Sequence, residues 1–330
     1  MSGRRRLVLL ALVVSGSLLV AAGSPSLSRG STARADAAGD PVIAAVGDMA
    51  CDPSDVNYNG GLGVGKKCRQ RATSDLAAAG GYAAVLALGD EQYECGGYQA
   101  FLQAYHPTWG RLRGITRPTP GNHEYLRSNN SDGTDCGGLA TARGYFDYFG
   151  SAAGTMGMGY YSFDIGSWHL IALNANCRFT TGCKAGSAQE KWLKADLAAS
   201  SATCTLAFWH QPRFSSGKGL GNNEKYAAFW DDLYVAGADL VLNGHLHAYE
   251  RFAPQDPNQQ PDPTAGIREI IVGTGGEGYQ QFGAAQPNSE VRGTKLNGIL
   301  AVTLHPDGYD WNYLSIPGET FSDAGSDLCH

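Results

Sequence analysis

Four short apolar runs break off at polar residues: "PVIAAVGD" (41–48), "YAAVLALGD" (82–90), "CTLAFWHQP" (204–212) and "ADLVLNGHLH" (238–247). Each is continuous rather than alternating, the pattern of a strand covered on both faces, and each is bounded by Gly, Pro or Asp. Such strands need an apolar layer on either side. Helical patterns at 69–80, 187–200 and 222–237 supply it, the first and last closing on glycine. The segments 160–174 and 298–316 read as hairpins, with turns at Asp164-Ile165-Gly166 and Pro306-Asp307-Gly308. Strands alternating with helices, plus hairpins, imply an α/β layered fold with mixed sheets. No linker or repeat divides residues 36–330, which are expected to form one domain. The Gly/Asn/Ser-rich stretches 52–67 and 127–143 are expected to be long surface loops held by cysteines.

The N-terminus differs from the rest. Arg4-Arg5-Arg6 precede an apolar segment, Leu7 to Ala22, and then Ala33-Arg34-Ala35. That is the layout of a signal peptide over 1–35, with Val20-Ala21-Ala22 as an earlier cleavage point and a loose fit to a twin-arginine signal. The chain is therefore expected to be secreted, with no membrane segment after signal removal. Removing residues 1–35 takes away five arginines and no acids, leaving 20 basic and 31 acidic side chains, a formal charge of −11. Such a chain repels polyanions, so nucleic acid is not an expected partner. All eight cysteines lie beyond residue 35, an even count that in an exported chain reads as disulfides. There is no C-x-x-C pair for a zinc-thiolate cluster. The short loop favours Cys177–Cys183; Cys51–Cys68 and Cys95–Cys136 would tie the long loops, leaving Cys204 with Cys329.

The runs end on metal-competent groups. Asp48 closes the first and Asp90 the second. "PGNHEY" (120–125) offers Asn122 and His123 in a glycine-led turn, and His210 ends the third run. His245 and His247 follow the fourth, one residue apart; both rings reach one locus only if the path bends, which Gly244 permits. Alone, that pair reads either as metal ligands or as two polar loop residues. Residues beyond the carboxyl ends of α/β strands gather in one crevice, however, and five ordered segments here deliver carboxylate, amide and imidazole groups. Such donors suit iron, zinc or manganese better than calcium.

The ordered blocks "GDMA", "GDEQY", "GNHE", "FWHQP" and "GHLHAYE" resemble those of the calcineurin-like metallophosphoesterases, and more closely the purple acid phosphatase branch. The resemblance covers residues 42 to 316. It implies a four-layer sandwich of two mixed β-sheets flanked by helices, with a two-metal site at the strand C-terminal ends. Carried over by position, one metal is held by Asp48, Asp90, Tyr93 and His247. The other is held by Asp90, Asn122, His210 and His245, with Asp90 bridging. A carboxylate bridging two cations about 3.5–4 Å apart suits activation of water and clamping of a phosphate. Many members of the wider superfamily place a ligand histidine two residues after the first aspartate. Here that position is Ala50, and Tyr93 is the purple-branch substitute; its phenolate favours Fe(III), paired with divalent Zn, Fe or Mn. His123 falls outside the ligand set as candidate general acid, with Glu124 the neighbour able to hydrogen-bond its ring.

This chain also departs from its relatives. The N-terminal β-sandwich of plant-type members has no counterpart here. The loop 213–225 lacks the phosphate-binding histidines common in the family, and Arg213, Lys218 or Asn222 are the alternatives. "GGLGVGKK" (60–67) approaches a phosphate-binding loop but ends in Lys67 and follows no strand. "GTGGEG" (273–278) matches a dinucleotide fingerprint without the helix that should follow, and reads better as a strand-end loop near the metal site. His106, His169, His305 and His330 lack partners at ligand spacing and are expected to be structural. The leading expectation is a secreted binuclear phosphoesterase that hydrolyses small phosphate monoesters by attack of metal-activated water. A phosphodiesterase on the same metals and a non-catalytic metal-binding module are the alternatives.

Overall fold

The computed structural model describes residues 39–126 and 141–330. The signal reading at 1–35, most of the loop at 127–143, and Cys136 lie outside them. Chain order builds one sheet, leaves it and returns. Strands β1 (Val42–Val46), β2 (Ala84–Ala87) and β3 (Thr116–Pro118) come first. Seven strands then form the second sheet: β4 (Tyr161–Ile165), β5 (Trp168–Ala172), β6 (Cys204–Trp209), β7 (Leu240–Asn243), β8 (Tyr249–Phe252), β9 (Arg268–Val272) and β10 (Ser289–Gly293). Finally β11 (Gly298–His305), β12 (Gly308–Ser315) and β13 (Ala324–Leu328) complete the first sheet. The orders are β13-β12-β11-β1-β2-β3 and β10-β8-β9-β7-β6-β5-β4. Both sheets are mixed: β1 runs parallel to β2 and antiparallel to β11, while β5, β6, β7 and β9 are parallel to one another.

Three apolar cores explain why the strands read as continuous runs. Ile43, Ala45 and Leu86 face inward and pack against Leu170, Leu206, Phe208 and Leu242 of the other sheet. Ala44, Val46 and Val85 point the opposite way, onto Phe101, Trp109 and Tyr145. On the far side Ile171, Ala207 and Val241 meet Leu193, Phe229 and Trp230. Alternate residues of each strand thus enter different cores, and none of these faces is left to water. The helices Gln70–Ala79, Arg143–Phe149, Ala188–Ala199 and Ala227–Val235 form the outer layers. The expected four-layer sandwich is what forms. Two local readings change: residues 222–237 split into a short turn of helix at Glu224–Tyr226 and the helix that follows, and Ala324–Leu328 adds an edge strand that no pattern signalled. Both hairpins form as expected.

Disulfides close between Cys51 and Cys68, Cys177 and Cys183, and Cys204 and Cys329. These six cysteines therefore offer no thiolate to a metal. The fourth expected bridge, Cys95–Cys136, has one partner outside the described residues. No described helix is long and apolar enough to cross a membrane.

Candidate metal centre

The carboxyl ends of β1, β2, β6 and β7 meet where the sheets touch. Gly47 donates from its amide to the Val272 carbonyl (2.8 Å), and Gly244 donates to the His210 carbonyl (3.0 Å). A Cβ at Gly244 would lie 2.8 Å from the Leu88 carbonyl oxygen and 2.9 Å from Asp48 Oδ2. That glycine is needed for close approach, and the bend between the paired histidines is carried by His245, at φ 70°. Asp48 and Asp90 also hold left-handed backbone, at φ 59° and 50°. Each such non-glycine residue costs roughly 1–3 kcal/mol, a strain typical of functional sites.

Six of the seven side chains expected as ligands are linked by short contacts, and the seventh lies beside them. The Tyr93 hydroxyl oxygen lies 2.9 Å from Asp48 Oδ1, 3.0 Å from Asp90 Oδ2 and 2.9 Å from His247 Nε2. His247 Nε2 is 3.2 Å from Asp48 Oδ1, and His210 Nε2 is 3.1 Å from Asp90 Oδ2. His245 Nδ1 approaches His210 Nε2 at 3.3 Å. Asn122 lies beside this cluster, its Oδ1 accepting from Nε2 of Gln211, the neighbour of His210, at 3.3 Å. His123 lies against the cluster. Its ring packs against Tyr93 with centroids 4.1 Å apart and the planes tilted by 43°, and its Nε2 is 3.9 Å from Asp90 Oδ2.

The electrostatics fit a cation. Asp48 and Asp90 are buried, at 0 % and 1 % exposure, and among the described residues only imidazoles form ion pairs with them. One phenol proton serves only one of the two carboxylates that Tyr93 touches. Burial alone would raise the Asp48 carboxyl, but His247, by charge and hydrogen bond, holds it below its ordinary value. Burial would raise Asp90 too, and His210 and His123 pull it far down. Burial, and then the His210 charge, push His245 down to about 4, so this ring is neutral and able to donate a lone pair. Burial would lower His210 as well, but Asp90 outweighs it and lifts the ring to about 9. Ligation through His210 Nε2 therefore requires loss of that proton. His210 Nδ1 donates to the Leu88 carbonyl at 2.8 Å, which directs Nε2 at Asp90. A metal pair at this donor set is chemically consistent with the residues present.

Glu124 does not touch the His123 ring. The His123 Nδ1 proton goes instead to the Glu94 carbonyl oxygen at 2.6 Å. The Glu124 carboxylate turns inward and accepts from the backbone amides of Asp90 (3.1 Å), Gln92 (3.1 Å) and Gly121 (2.8 Å). It thereby ties the Asp90 turn to the Asn122 turn. Burial and the Asp90 charge push it up to about 7, against the pull of those amides. Of the cations considered for phosphate, Arg213 is buried and paired with Glu224 at 3.0 Å, while Lys218 is exposed. Asn222 is occupied by Gln259 and the Ser215 amide.

These strand ends, on two face-to-face mixed sheets, are those of a metallophosphoesterase. A family profile described as calcineurin-like phosphoesterase matches residues 42–249, and the chain belongs to that family. Membership implies a binuclear metal site. Among curated proteins the chain is similar to purple acid phosphatase 15 of Arabidopsis thaliana, at 31 % identity over 192 residues, 53 % of this chain and 33 % of that protein. Acid phosphatase A of Cryphonectria parasitica is 32 % identical over 149 residues, 38 % of this chain and 29 % of that one. The match thus spans about a third of the length of these relatives. The purple acid phosphatase from yellow lupin (Lupinus luteus) seeds superposes with a TM-score of 0.70 at 16 % identity, over 87 % of this chain and 53 % of that one. GAP50, described as the anchor in the inner membrane complex of Plasmodium, does so with 0.57 at 14 % identity, over 88 % and 89 %. At such identities the likeness is one of fold, and a fold shared with an anchor does not select an activity.

Proposed function

We propose that this chain is an exported phosphoric ester hydrolase acting on phosphate monoesters. Two metal ions would be held by Asp48, Asp90, Tyr93 and His247 on one side and by Asp90, Asn122, His210 and His245 on the other. The observation that carries the reading is the position of Asp90, between the Tyr93 hydroxyl (3.0 Å) and His210 Nε2 (3.1 Å), as a bridging carboxylate would be. Cations at such a centre supply an activated water and a clamp on phosphate oxygens. His123 donates from Nδ1 to the Glu94 carbonyl, leaving Nε2 over the centre to protonate the departing alkoxide. The Tyr93 phenolate suits Fe(III), with Zn, Fe or Mn as the divalent partner. The arginine-led apolar N-terminus and the disulfides support export.

A phosphodiester is the second reading, favoured because Arg213, the buried cation of the 213–225 loop, is already paired with Glu224. With Arg213 bound to Glu224, a singly charged diester would be easier to accommodate than a dianionic monoester. Purified protein should be assayed with p-nitrophenyl phosphate and bis-p-nitrophenyl phosphate across pH, beside elemental analysis and a visible spectrum. The reading expects two ions per chain, faster turnover of the monoester, and a violet band that Tyr93→Phe bleaches. Inactivity on both esters with two ions bound would leave a metal-binding module, and faster turnover of the diester would reverse the order of the two readings.

A further inference from the structure

The glycine-rich stretch 273–278 has no role in the ligand set, yet it lies against it. Its Glu277 places Oε2 2.8 Å from Nδ1 of His247, the ring nitrogen that faces away from Asp48 and Tyr93. The Glu277 amide donates to the Asp48 carbonyl (3.2 Å), and its own carbonyl accepts from the Cys68 amide (3.2 Å), beside the Cys51–Cys68 bridge. The glycines permit this docking. A Cβ at Gly273 would stand 2.0 Å from the Leu246 carbonyl oxygen and 2.7 Å from Asp48 Oδ2, and one at Gly275 2.5 Å from the Gly47 carbonyl oxygen. The fingerprint-like spacing thus serves close approach to the turns that carry Asp48 and His247.

We infer that Glu277 is a positioning residue: its carboxylate holds the His247 ring with the proton on Nδ1 and the lone pair of Nε2 aimed at the metal centre. The inference rests on the two-metal reading above. A carboxylate only accepts, so the proton of this hydrogen bond belongs to the ring, and the opposite nitrogen is left as donor. The main-chain bonds of Glu277 to Asp48 and Cys68 keep that geometry although its side chain is 20 % exposed.

The test compares wild type, Glu277→Ala and Glu277→Gln for metal retention against a graded chelator, with metal-free melting temperature measured in parallel. Glu277→Ala should release one of the two ions at roughly 10–100-fold lower chelator concentration, as expected when an outer hydrogen-bond partner of a ligand is lost. Its metal-free melting temperature should match wild type. Glu277→Gln keeps an acceptor oxygen for Nδ1–H and should recover most of the retention. Wild-type retention of both ions in Glu277→Ala would overturn the inference, as would equal loss in both variants with lowered metal-free stability. Wild-type protein that binds no metal pair would overturn the two-metal reading and this inference together, and that outcome is visible before any variant is made.

Discussion

Histidines flanked by carboxylates occur at both ends of the sandwich, and the two ends use them differently. At the amino ends of the strands, His169 has Asp164 on Nδ1 (2.7 Å) and Asp196 on Nε2 (2.9 Å). His305 there bonds Asp40 and Asp310, and His330 bonds Asp239. Each of these rings has its own acids, one or two apiece, which it shares with neither of the other two. At the carboxyl ends, His210, His245 and His247 share Asp48, Asp90 and Tyr93 around one locus, and Asp48, Asp90 and His245 sit in left-handed backbone. Imidazole beside carboxylate is therefore not enough to mark a metal centre. Sharing under backbone strain is the distinguishing feature.

Substitutions at the carboxyl end should therefore change metal binding and rate, and those at the amino end stability. The largest effect belongs to Asp90. Asp90→Asn should lose at least one ion and lower kcat by about 10³-fold or more, since metal stabilisation of a transition state amounts to several kcal/mol. A variant with two ions and near-normal rate would remove Asp90 as the bridge. His123→Ala comes next. It should keep both ions and lower kcat by roughly 10²–10⁴-fold on alkyl phosphates, less on p-nitrophenyl phosphate, whose leaving group needs little help. Equal losses on the two substrates, with metal intact, would take the general-acid role away from His123.

At the amino end, the Cys204–Cys329 bridge closes a loop of sequence separation 125. Paired serine substitutions should destabilise by about 4–5 kcal/mol on a chain-entropy basis, leaving kcat of the folded fraction unchanged. Denaturant titration with a parallel assay checks this, and a lowered kcat would join the two ends functionally. The smallest effect is that of His169. Its pKa is raised, chiefly by the Asp196 hydrogen bond, so the folded state binds the proton more tightly than the unfolded one. Its contribution, a few tenths to about 1 kcal/mol, is complete below about pH 6.5 and is lost as pH rises through the folded value. The melting-temperature gap between wild type and His169→Gln should therefore be present near about pH 5 and close by about pH 9. A gap that widened with pH would reverse the sign of this pairing.

Much of this arrangement is legible from local pattern. The apolar run before Asp48 predicts a strand over 41–48, and Val42–Val46 forms it, leaving Asp48 beyond its end. The same holds for Asp90, His210 and the 245–247 pair, because burial of both strand faces is written in consecutive residues. Glu124 shows the limit. Next to His123 in sequence, it turns the opposite way, because three buried amides at positions 90, 92 and 121 compete for its carboxylate. Glu277 is a related case: the stretch 273–278 reads as a loop near the metal site, but nothing local pairs its acid with His247, 30 residues away.

Local order along the chain thus decided which residues stand at strand ends, since the hydrogen bonds and burial that make a strand or helix involve near neighbours. The packing of the sheets decided which acid serves which imidazole. Those pairs join positions as distant as Asp40 and His305, brought together across neighbouring strands of one sheet, or Asp48 and His247, which meet where Gly47 and Gly244 let the two sheet ends share one buried space.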